Sequence, residues 1–482
     1  MQDNEFCLVE AREKFTGLIE YVKQAVDSKE AIHKVEYHLF RALLSLGFSM
    51  LVYFIKQQGL GDTGRYLSLK SGQILLQGKV KVRSYLSIFG EIKIARYVYG
   101  QGKDQKAPLD GQLALPAWKY SYLLQDWGLC LSSQHAFSEA GKLLDKILGI
   151  GLSVRSLERL SCKVSEDVEA FRVDQPIQEA QTETLVVATS DCKGVPLTQE
   201  KKPVASRHKR RKKGEKPNKK KMACVGAVYN ILPFVRTTAD IIEELQEGQS
   251  KAQRPRPWDK HLRADLMYDK ETTFAWMAEQ VKKRNPQARL KVICLMDGEK
   301  RLWALKAQYL PEAVGILDLW HVSEYLWKGA YVFHKEGSDK AQRWVKRRLT
   351  MLLEGKADDL IADIKQRLSE QGITGKKKKT LESILTYFTN NRAYMHYDQY
   401  LAAGYPIGSG VAEGACRHLV KDRMECSGMR WTLEGAQAIL DLRASYINED
   451  WEAFWTHYTT AEKERLYGPL NIDNSETYRA TG

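Results

Sequence analysis

The chain has 482 residues, and 74 Lys and Arg against 60 Asp and Glu give it a formal net charge of +14. This length exceeds what one hydrophobic core supports, so we expect two or three domains. The composition excludes collagen-like and wholly disordered proteins. The basic excess favours a polyanionic partner, because each neutralised phosphate releases counterions, but charge alone leaves that partner open.

The eight cysteines are scattered and form no C-x-x-C pair, which argues against a zinc ribbon and indicates a reducing, cytoplasmic compartment. Acidic residues interrupt the amino terminus, so no signal peptide is expected. The longest apolar run, residues 42–55, is about 14 residues long. A membrane span needs about 20, so the run predicts a buried helix and no membrane partner.

Residues 5–58 have helical periodicity, and the second half is apolar enough on several faces to pack against another helix or a second subunit. Residues 1–75 are therefore predicted to be N-terminal helices with a role in oligomerisation. Alternating apolar residues then predict a β-hairpin over 79–99, around Phe89-Gly90.

Residues 117–172 return to a helical pattern, in which 136–147 and 153–164 flank a glycine-containing break and have helix-turn-helix proportions. Ser153 can cap the second helix, whose exposed side carries Arg155 and Arg159. One interpretation of residues 76–180 is a small β-hairpin with a DNA-binding helix. The other, which is commoner, is an ordinary helical hairpin with a glycine turn.

The next part of the chain alternates strands and helices. Strands are predicted over 184–188, 222–231, 234–242, 290–296 and 313–317, with a helix over 270–283. This order matches an RNase H-like mixed sheet in an α/β fold. The predicted catalytic domain comprises 181–330 and 403–450, separated by a helical insertion at 331–402. A final helix covers 433–446, and 451–482 is predicted to be an irregular, aromatic C-terminal tail.

A basic tract lies between the first two predicted strands. Residues 200–221 contain twelve Lys or Arg against two Glu, which supplies most of the net charge of the chain. The tract is expected to be a solvated loop. Its position near Asp191 favours DNA backbone binding over a mere solubility loop; its candidate contacts are Lys209, Arg210, Arg211, Lys212 and Lys213.

Two aspartates come directly after apolar strand patterns, Asp191 after 186–190 and Asp297 after 292–296. If those strands are neighbours, both carboxylates emerge at one edge of the sheet. Phosphodiester chemistry uses two divalent ions about 4 Å apart, and carboxylates are the ligands that Mg²⁺ prefers. Glu413 opens a helix entered through Gly408-Ser409-Gly410, where first-turn capping is its alternative role.

Several short runs carry a resemblance to a known family. They are Ser190-Asp191-Cys192-Lys193-Gly194, Leu295-Met296-Asp297-Gly298-Glu299, Leu317-Asp318-Leu319-Trp320-His321, Tyr405-Pro406-Ile407-Gly408-Ser409-Gly410-Val411-Ala412-Glu413 and Ser427-Gly428-Met429-Arg430-Trp431. Together they resemble DDE-type insertion-sequence transposases of the ISKra group over most of the chain. The Gly-Ser-Gly-x-x-Glu run with Arg-Trp downstream is the most specific part.

The resemblance implies a nucleoid-associated enzyme that cuts transposon ends and joins their 3′-OH groups to target DNA. It implies that Asp191, Asp297 and Glu413 are the catalytic acids and hold two Mg²⁺ ions, for which Mn²⁺ can substitute. Asp318 and His321 resemble a supporting Asp-x-x-His element, with an alternative as a strand end and a first-turn residue. The family often has glycine where this chain has Cys192.

The partners implied are double-stranded DNA, at the transposon ends and the target, and further copies of the chain, because strand transfer joins two ends. Arg430 is expected on phosphates, and Trp431 either stacks on an unpaired base or packs in the core. Two other functions stay open: a domesticated, non-catalytic DNA-binding protein and a hydrolytic nuclease of the same fold.

Overall fold

The computed structural model describes residues 2–102, 104–198, 220–247, 254–370 and 372–470. The chain divides into two units. The first consists of residues 1–171 together with the chain from 450 onward, and the second of residues 172–449. Each unit has hydrophobic clusters of its own, which agrees with the expectation of more than one core.

The secondary structure is mixed α/β, as the sequence predicts. The strands are β1 Tyr66–Ser68, β2 Ile74–Ser87, β3 Gly90–Tyr99, β4 Leu185–Pro196, β5 Lys220–Ile231, β6 Trp258–Asp265, β7 Lys291–Met296 and β8 Val314–Leu317. The helices are α1 Gln2–Asp27, α2 Ile32–Gln57, α3 Pro108–Gln112, α4 Tyr122–Gln134, α5 Phe137–Leu148, α6 Val154–Ser165, α7 Val168–Asp174, α8 Thr238–Glu247, α9 Lys270–Arg284, α10 Lys300–Tyr309, α11 Leu319–Phe333, α12 Asp339–Leu353, α13 Ala357–Leu368, α14 Gly375–Asn391, α15 Tyr397–Ala402, α16 Gly410–Ala415, α17 Asp422–Met424, α18 Leu433–Ile447 and α19 Trp451–Tyr467.

The first unit begins with the predicted helices, α1 and α2, which pack as a hairpin. The predicted β-hairpin is confirmed: β2 and β3 pair antiparallel and are closed by Ser87 opposite Gly90. β1 adds a third strand that was not predicted, because three residues are too few to show a period. The buried Asp110 carboxylate of α3 binds Arg83 of β2 at 3.0 Å and Arg96 of β3 at 2.7 Å, which ties α3 to this sheet.

The pair of helices with helix-turn-helix proportions is present as α5 and α6. α5 ends at Gly149, which has a left-handed φ of 72°. Ser153 caps α6 as predicted, because its side chain accepts a hydrogen bond from the Ser156 N–H at 3.1 Å. Arg155 and Arg159 are exposed on α6. This geometry fits both interpretations of the segment.

Two predictions for the first unit are wrong. The apolar run at 42–55 is part of α2, but it is not a buried helix, since Ser49 and Ile55 are its buried residues. Among the described helices, α2 is long and apolar enough, by length and composition alone, to cross a membrane, and 11% of its most apolar window is buried.

The C-terminal segment is not irregular, because residues 451–467 form α19. Phe454 is fully buried, and the Trp451 indole N–H donates to Asp126 Oδ1 at 2.7 Å. Arg465 makes a bidentate pair with Asp167 at 2.7 Å. Two of the aromatic residues of this segment therefore anchor the helix.

The second unit is built on a five-stranded sheet in the order β6-β5-β4-β7-β8. β4 is antiparallel to β5, which is antiparallel to β6, whereas β4, β7 and β8 run parallel. Residues 293–296 of β7 are fully buried. A near-continuous apolar strand of this kind is typical of the centre of a sheet covered by helices on both faces.

The third strand of this sheet is not the one predicted. Residues 234–242 instead form a loop and the start of α8. Thr237 and Asp240 cap this helix reciprocally, because the Thr237 N–H donates to Asp240 Oδ2 at 2.7 Å and the Asp240 N–H donates to Thr237 Oγ1 at 3.2 Å. The third strand is β6, whose charged residues hid its period. The described residues of the predicted insertion, 331–402, are helical: they comprise the last residues of α11 and α12 to α15.

Candidate active site

Three aspartates lie at the same level on the three parallel strands. The last paired residues of β4 and β7 are Ser190 and Met296, and Met296 pairs in turn with Leu317 at the end of β8. The residues that follow on the three strands are Asp191, Asp297 and Asp318, and the Asp318 N–H still donates to the Met296 carbonyl at 2.8 Å. In-register residues of parallel strands face the same side of a sheet. The predicted convergence of Asp191 and Asp297 at one edge therefore follows from the pairing.

The position of Asp191 within its strand differs from the prediction. Asp191 is not at the end of a strand, because β4 continues to Pro196 against β5. The sheet edge is formed there by the end of β7, which is shorter. Asp191 thus sits on an ordered strand that is paired on its other side with Val225. This strand orients the carboxylate more firmly than a loop would.

Asp191 and Asp297 act on one another electrostatically. Burial raises the pKa of Asp297, the Glu299 N–H that donates to its Oδ1 at 2.9 Å lowers it, and the nearby Asp191 carboxylate raises it again. Asp191 Oδ1 accepts from the Cys192 N–H at 2.6 Å. Two half-buried carboxylates that repel each other form an oxygen-rich site that favours a cation.

Asp318 has a different role from its two neighbours. It is almost completely buried, and both of its oxygens are engaged. Oδ1 accepts from the Trp320 and Ser409 N–H groups at 3.1 Å, and Oδ2 accepts from the Ser409 hydroxyl at 2.6 Å and pairs with His321 Nδ1 at 2.7 Å. Asp318 therefore fixes the residue that precedes α16, the helix that carries Glu413.

His321 lies between this anchor and the acidic pair. Its hydrogen bond to Asp318 raises the pKa of His321 to about 9, against a lowering by burial, and the charges of Asp297 and Asp191 add to the rise. The imidazole is therefore protonated at neutral pH. Its positive charge lowers the pKa of Asp297. The predicted grouping of Asp318 and His321 beside the acids is thus present.

Glu413 lies close by, but its carboxylate is apart from the pair. It is exposed on the short helix α16, one turn before Cys416. Burial raises the pKa of the Cys416 thiol, and so do the charge and hydrogen bond of Asp191, which places this side of the helix over Asp191. In the described part of the chain, no group of three or more His, Cys, Asp or Glu is arranged to hold a metal ion, so the three predicted acids do not form a complete ligand set.

The Glu413 side chain lines a cavity of about 480 Å³ instead. Trp320, which is about half exposed, forms another part of its wall, and the chain between Gly404 and Val411 forms most of one side. A Cβ at Gly408 would meet the Trp320 indole nitrogen at 2.8 Å, so a larger residue at this position would force the Trp320 side chain to shift. The approach to α16 is therefore sterically tight.

Cys192 is compatible with the strand although the resembled family often has glycine at this position. It lies opposite Cys224 in the register of β4 and β5, and it alternates with Asp191, so the two side chains point to opposite faces. The Cys192 hydrogen bond to Cys224 and its burial raise the pKa of Cys192, which keeps it a neutral thiol. It therefore leaves the carboxylate face of the strand unchanged.

The predicted DNA contacts have different outcomes. Trp431 is 6% exposed, and its indole N–H donates to the Met424 carbonyl at 3.1 Å. Its backbone also bonds to Pro196 and Thr198. Its ring belongs to the core, so of the two expected roles core packing is confirmed and base stacking is excluded. Arg430 is exposed. The basic tract from Lys209 to Lys213 lies outside the described residues.

Sequence reasoning missed an aromatic and basic group behind Asp297. The Tyr387 hydroxyl donates to the Asp297 carbonyl at 2.9 Å, and its ring stacks on Tyr325 with centroids 3.7 Å apart. Lys328 Nζ lies 4.4 Å from the centre of the Tyr325 ring. Tyr325 and Lys328 then line a cleft of about 250 Å³ with Lys376, Lys379, Thr380, Ser383 and Ile384. The Lys run at 376–379 was the signal available in the sequence.

Comparison with known proteins adds no relative to this description. No protein-family model matches the chain, and no curated protein matches it at a significant level. The assignment of function therefore depends on the chemistry of the site and on the resemblance of the short runs described above.

Proposed function

We propose that the chain is a DNA transposase of an insertion sequence, with an RNase H-like catalytic domain in its second unit. The observation that carries the proposal is the common level of Asp191 and Asp297 on neighbouring parallel strands, with α16 held beside them. The strand order of the five-stranded sheet supports the RNase H-like assignment, since three antiparallel strands are followed by two parallel ones. The resemblance to ISKra-group transposases supplies the reaction.

The donor set suits Mg²⁺ or Mn²⁺. Asp191 and Asp297 offer hard carboxylate oxygens, and their mutual repulsion is relieved by a cation between them. Two bound ions would activate the attacking oxygen and stabilise the leaving oxygen of a phosphodiester. Glu413 completes the set in this proposal by turning its exposed side chain from the cavity wall toward Asp191, which Cys416, one helical turn after Glu413, already contacts.

Asp318, Ser409 and His321 serve as positioning residues. Asp318 ties Ser409 to the end of β8, and the Leu319 N–H donates to the Ile407 carbonyl at 2.9 Å. These bonds hold the start of α16 against the sheet edge. His321 balances part of the negative charge at this edge, so the two aspartates can stay close before any cation binds.

The basic cleft between α11 and α14 is the proposed path of the DNA backbone to the acids. Three ammonium groups, on Lys328, Lys376 and Lys379, and two hydroxyls face one cleft. Phosphate oxygens accept hydrogen bonds from both kinds of group. The cleft is joined to Asp297 through the stacked Tyr325 and Tyr387 rings. The exposed arginines of α6 are proposed as a second contact, in the first unit.

Strand transfer joins two DNA ends, so at least two copies of the chain are proposed to act together.

The test of the proposed function is cleavage of a duplex that carries the DNA flanking the reading frame, in Mg²⁺ or Mn²⁺ and with the full-length protein. We expect the wild type to cut and to leave a 3′-OH. Asp191→Asn should bind the duplex equally well but cut at least about a thousandfold more slowly, because several kcal/mol of transition-state stabilisation are lost.

Asp422→Asn is a matched control, because Asp422 is an exposed acid that pairs with His418 and is not one of the proposed metal ligands. It should cut at the wild-type rate. Retained cutting by Asp191→Asn would refute the assignment of the site. Binding without cutting by the wild type would favour a domesticated, non-catalytic protein, and cutting without joining of a pre-cut end would favour a hydrolytic nuclease.

A further inference from the structure

The helical hairpin of the first unit exposes an unusual amount of apolar surface. On α1 the exposed residues Phe15, Ile19, Val22 and Val26 are 54%, 42%, 37% and 70% accessible. Their spacing of four, three and four residues places them in one stripe. Isolated exposed apolar residues are ordinary, but a contiguous stripe marks an interaction surface.

The second helix carries a matching stripe. Phe40, Leu43, Met50 and Phe54 of α2 are 39%, 53%, 57% and 53% accessible. They recur after three, seven and four residues, which again keeps them on one side of the helix. Both helices therefore expose apolar side chains with the period of a helix–helix seam.

The contacts between the helices show that they are antiparallel. Lys14 in the middle of α1 donates to Ser49 Oγ in the second half of α2 at 2.7 Å, whereas Tyr21, further along α1, stacks on His38 in the first half of α2 with ring centroids 3.7 Å apart. Ala25 is buried between them, close to the turn. Rising residue numbers on one helix thus face falling numbers on the other.

The two stripes lie on the same face of the hairpin. On each helix, at about 100° per residue, the exposed stripe lies between a quarter and a half turn further round, in the same rotational sense, than the residues that contact the other helix. Because the helices run in opposite directions, rotations in the same sense bring both stripes toward one side of the hairpin. We call this surface, made by the eight residues above, the hairpin face.

The other side of the hairpin is polar. It carries Glu13 and Gln24 on α1, and Lys34 and Arg41 on α2, all exposed. α2 also packs against the β-sheet of its own unit through Phe48 and Leu51, which are partly buried around Ile55. A membrane-spanning helix is apolar all round, whereas α2 has a polar side and a packed side, so a membrane fits it poorly.

We propose that the hairpin face binds the hairpin face of a second copy of this chain, so that two hairpins form a four-helix bundle. An aromatic side chain buries roughly 150–250 Å² when it is fully covered. Because these eight side chains are about half accessible and five of them are smaller, non-aromatic residues, two copies would bury at most about 1,400 Å². That area lies within the range of stable specific interfaces. A two-fold axis can pair such a face with the same face of a second copy, because each residue then meets its equivalent surface.

The inference does not depend on the catalytic proposal, because it concerns the protein without DNA or metal. An Asp191→Asn variant should associate as the wild type does. A result that contradicts the catalytic assignment therefore does not contradict the dimer, and a monomeric protein does not contradict the assignment of the acids.

The test is the mass of the full-length protein, measured by sedimentation equilibrium at micromolar concentration without DNA. We expect about twice the chain mass of 55.1 kDa. Leu43→Glu with Met50→Glu should weaken association at least about a hundredfold, since the dimer would bury four carboxylates. The matched control, Gln24→Glu with Lys34→Glu, places two glutamates on the polar side and should stay dimeric.

Leu43→Ala with Met50→Ala covers the case in which glutamates unfold the hairpin. Alanine keeps the helix, so circular dichroism should not change, while the dissociation constant should rise about tenfold or more. A monomeric wild type overturns the proposal, and so does a glutamate variant that is folded and still dimeric. Flotation of a monomeric wild type with phosphatidylcholine–phosphatidylglycerol vesicles also overturns it and assigns the face to a membrane.

Discussion

The basic cleft beside Asp297 gives a prediction whose size follows from the structure. We consider the triple variant Lys328→Ala, Lys376→Ala and Lys379→Ala. Each phosphate contact contributes about 0.9 to the slope of log affinity against log salt concentration. Removal of three contacts should lower that slope by about 2.7. Between 50 and 200 mM salt, the wild-type affinity should then fall about fortyfold more than that of the variant.

The assay is fluorescence anisotropy of a labelled duplex of mixed sequence, titrated with full-length protein at several salt concentrations. The control variant replaces three exposed lysines of the helical insertion that do not line the cleft, Lys335, Lys340 and Lys365. It loses the same charge but should keep the wild-type slope. Equal slopes for the two triple variants would refute the cleft as the path of the backbone, because only general charge would then matter.

Two further predictions concern the residues around α16. Ser409→Ala removes the hydroxyl that donates to the buried Asp318 at 2.6 Å, and it should lower the free energy of unfolding by about 1–3 kcal/mol in a denaturant titration. The control is Ser369→Ala, at an exposed helix end. Equal losses of unfolding free energy in the two variants would contradict the anchoring role of Ser409. Glu413→Gln should abolish DNA cleavage. Glu434→Gln, which changes a first-turn residue of α18, should leave the cleavage rate unchanged. Equal loss of cleavage in the two variants would contradict the assignment of Glu413 as the third catalytic acid.

The sequence was sufficient to predict the elements that carry the two aspartates. Apolar runs long enough to show a period predict β4, β5 and β7, and the register then brings Asp191 level with Asp297. The charged strand β6 was not predictable, because its buried side appears only once it pairs with β5. The capped helix α8 was mistaken for a strand for a related reason: Phe234 and Val235 suit a strand, but the Thr237–Asp240 cap decides the structure.

The rest of the site depends on contacts between residues that are distant in the chain. Ser409 binds Asp318 across 91 positions, and Tyr387 binds Asp297 across 90. No local pattern reports such pairs. Trp431 illustrates the same point. Its residue type is compatible with stacking on a base, but its contacts with the distant Pro196 and with Met424, which the sequence pattern does not report, place it in the core. Glu413 is assigned as the third acid from the resemblance alone, and because it is exposed on α16, only mutagenesis can test this assignment.

The most direct test of the account is strand transfer. A pre-cut duplex end with a free 3′-OH, taken from the DNA that flanks the reading frame, is incubated with a target plasmid, Mg²⁺ and full-length protein. The account predicts covalent joining of the end to the plasmid by the wild type and none by Asp297→Asn, although both bind the end. Joining by Asp297→Asn, or no joining by a wild type that binds the end, would contradict it.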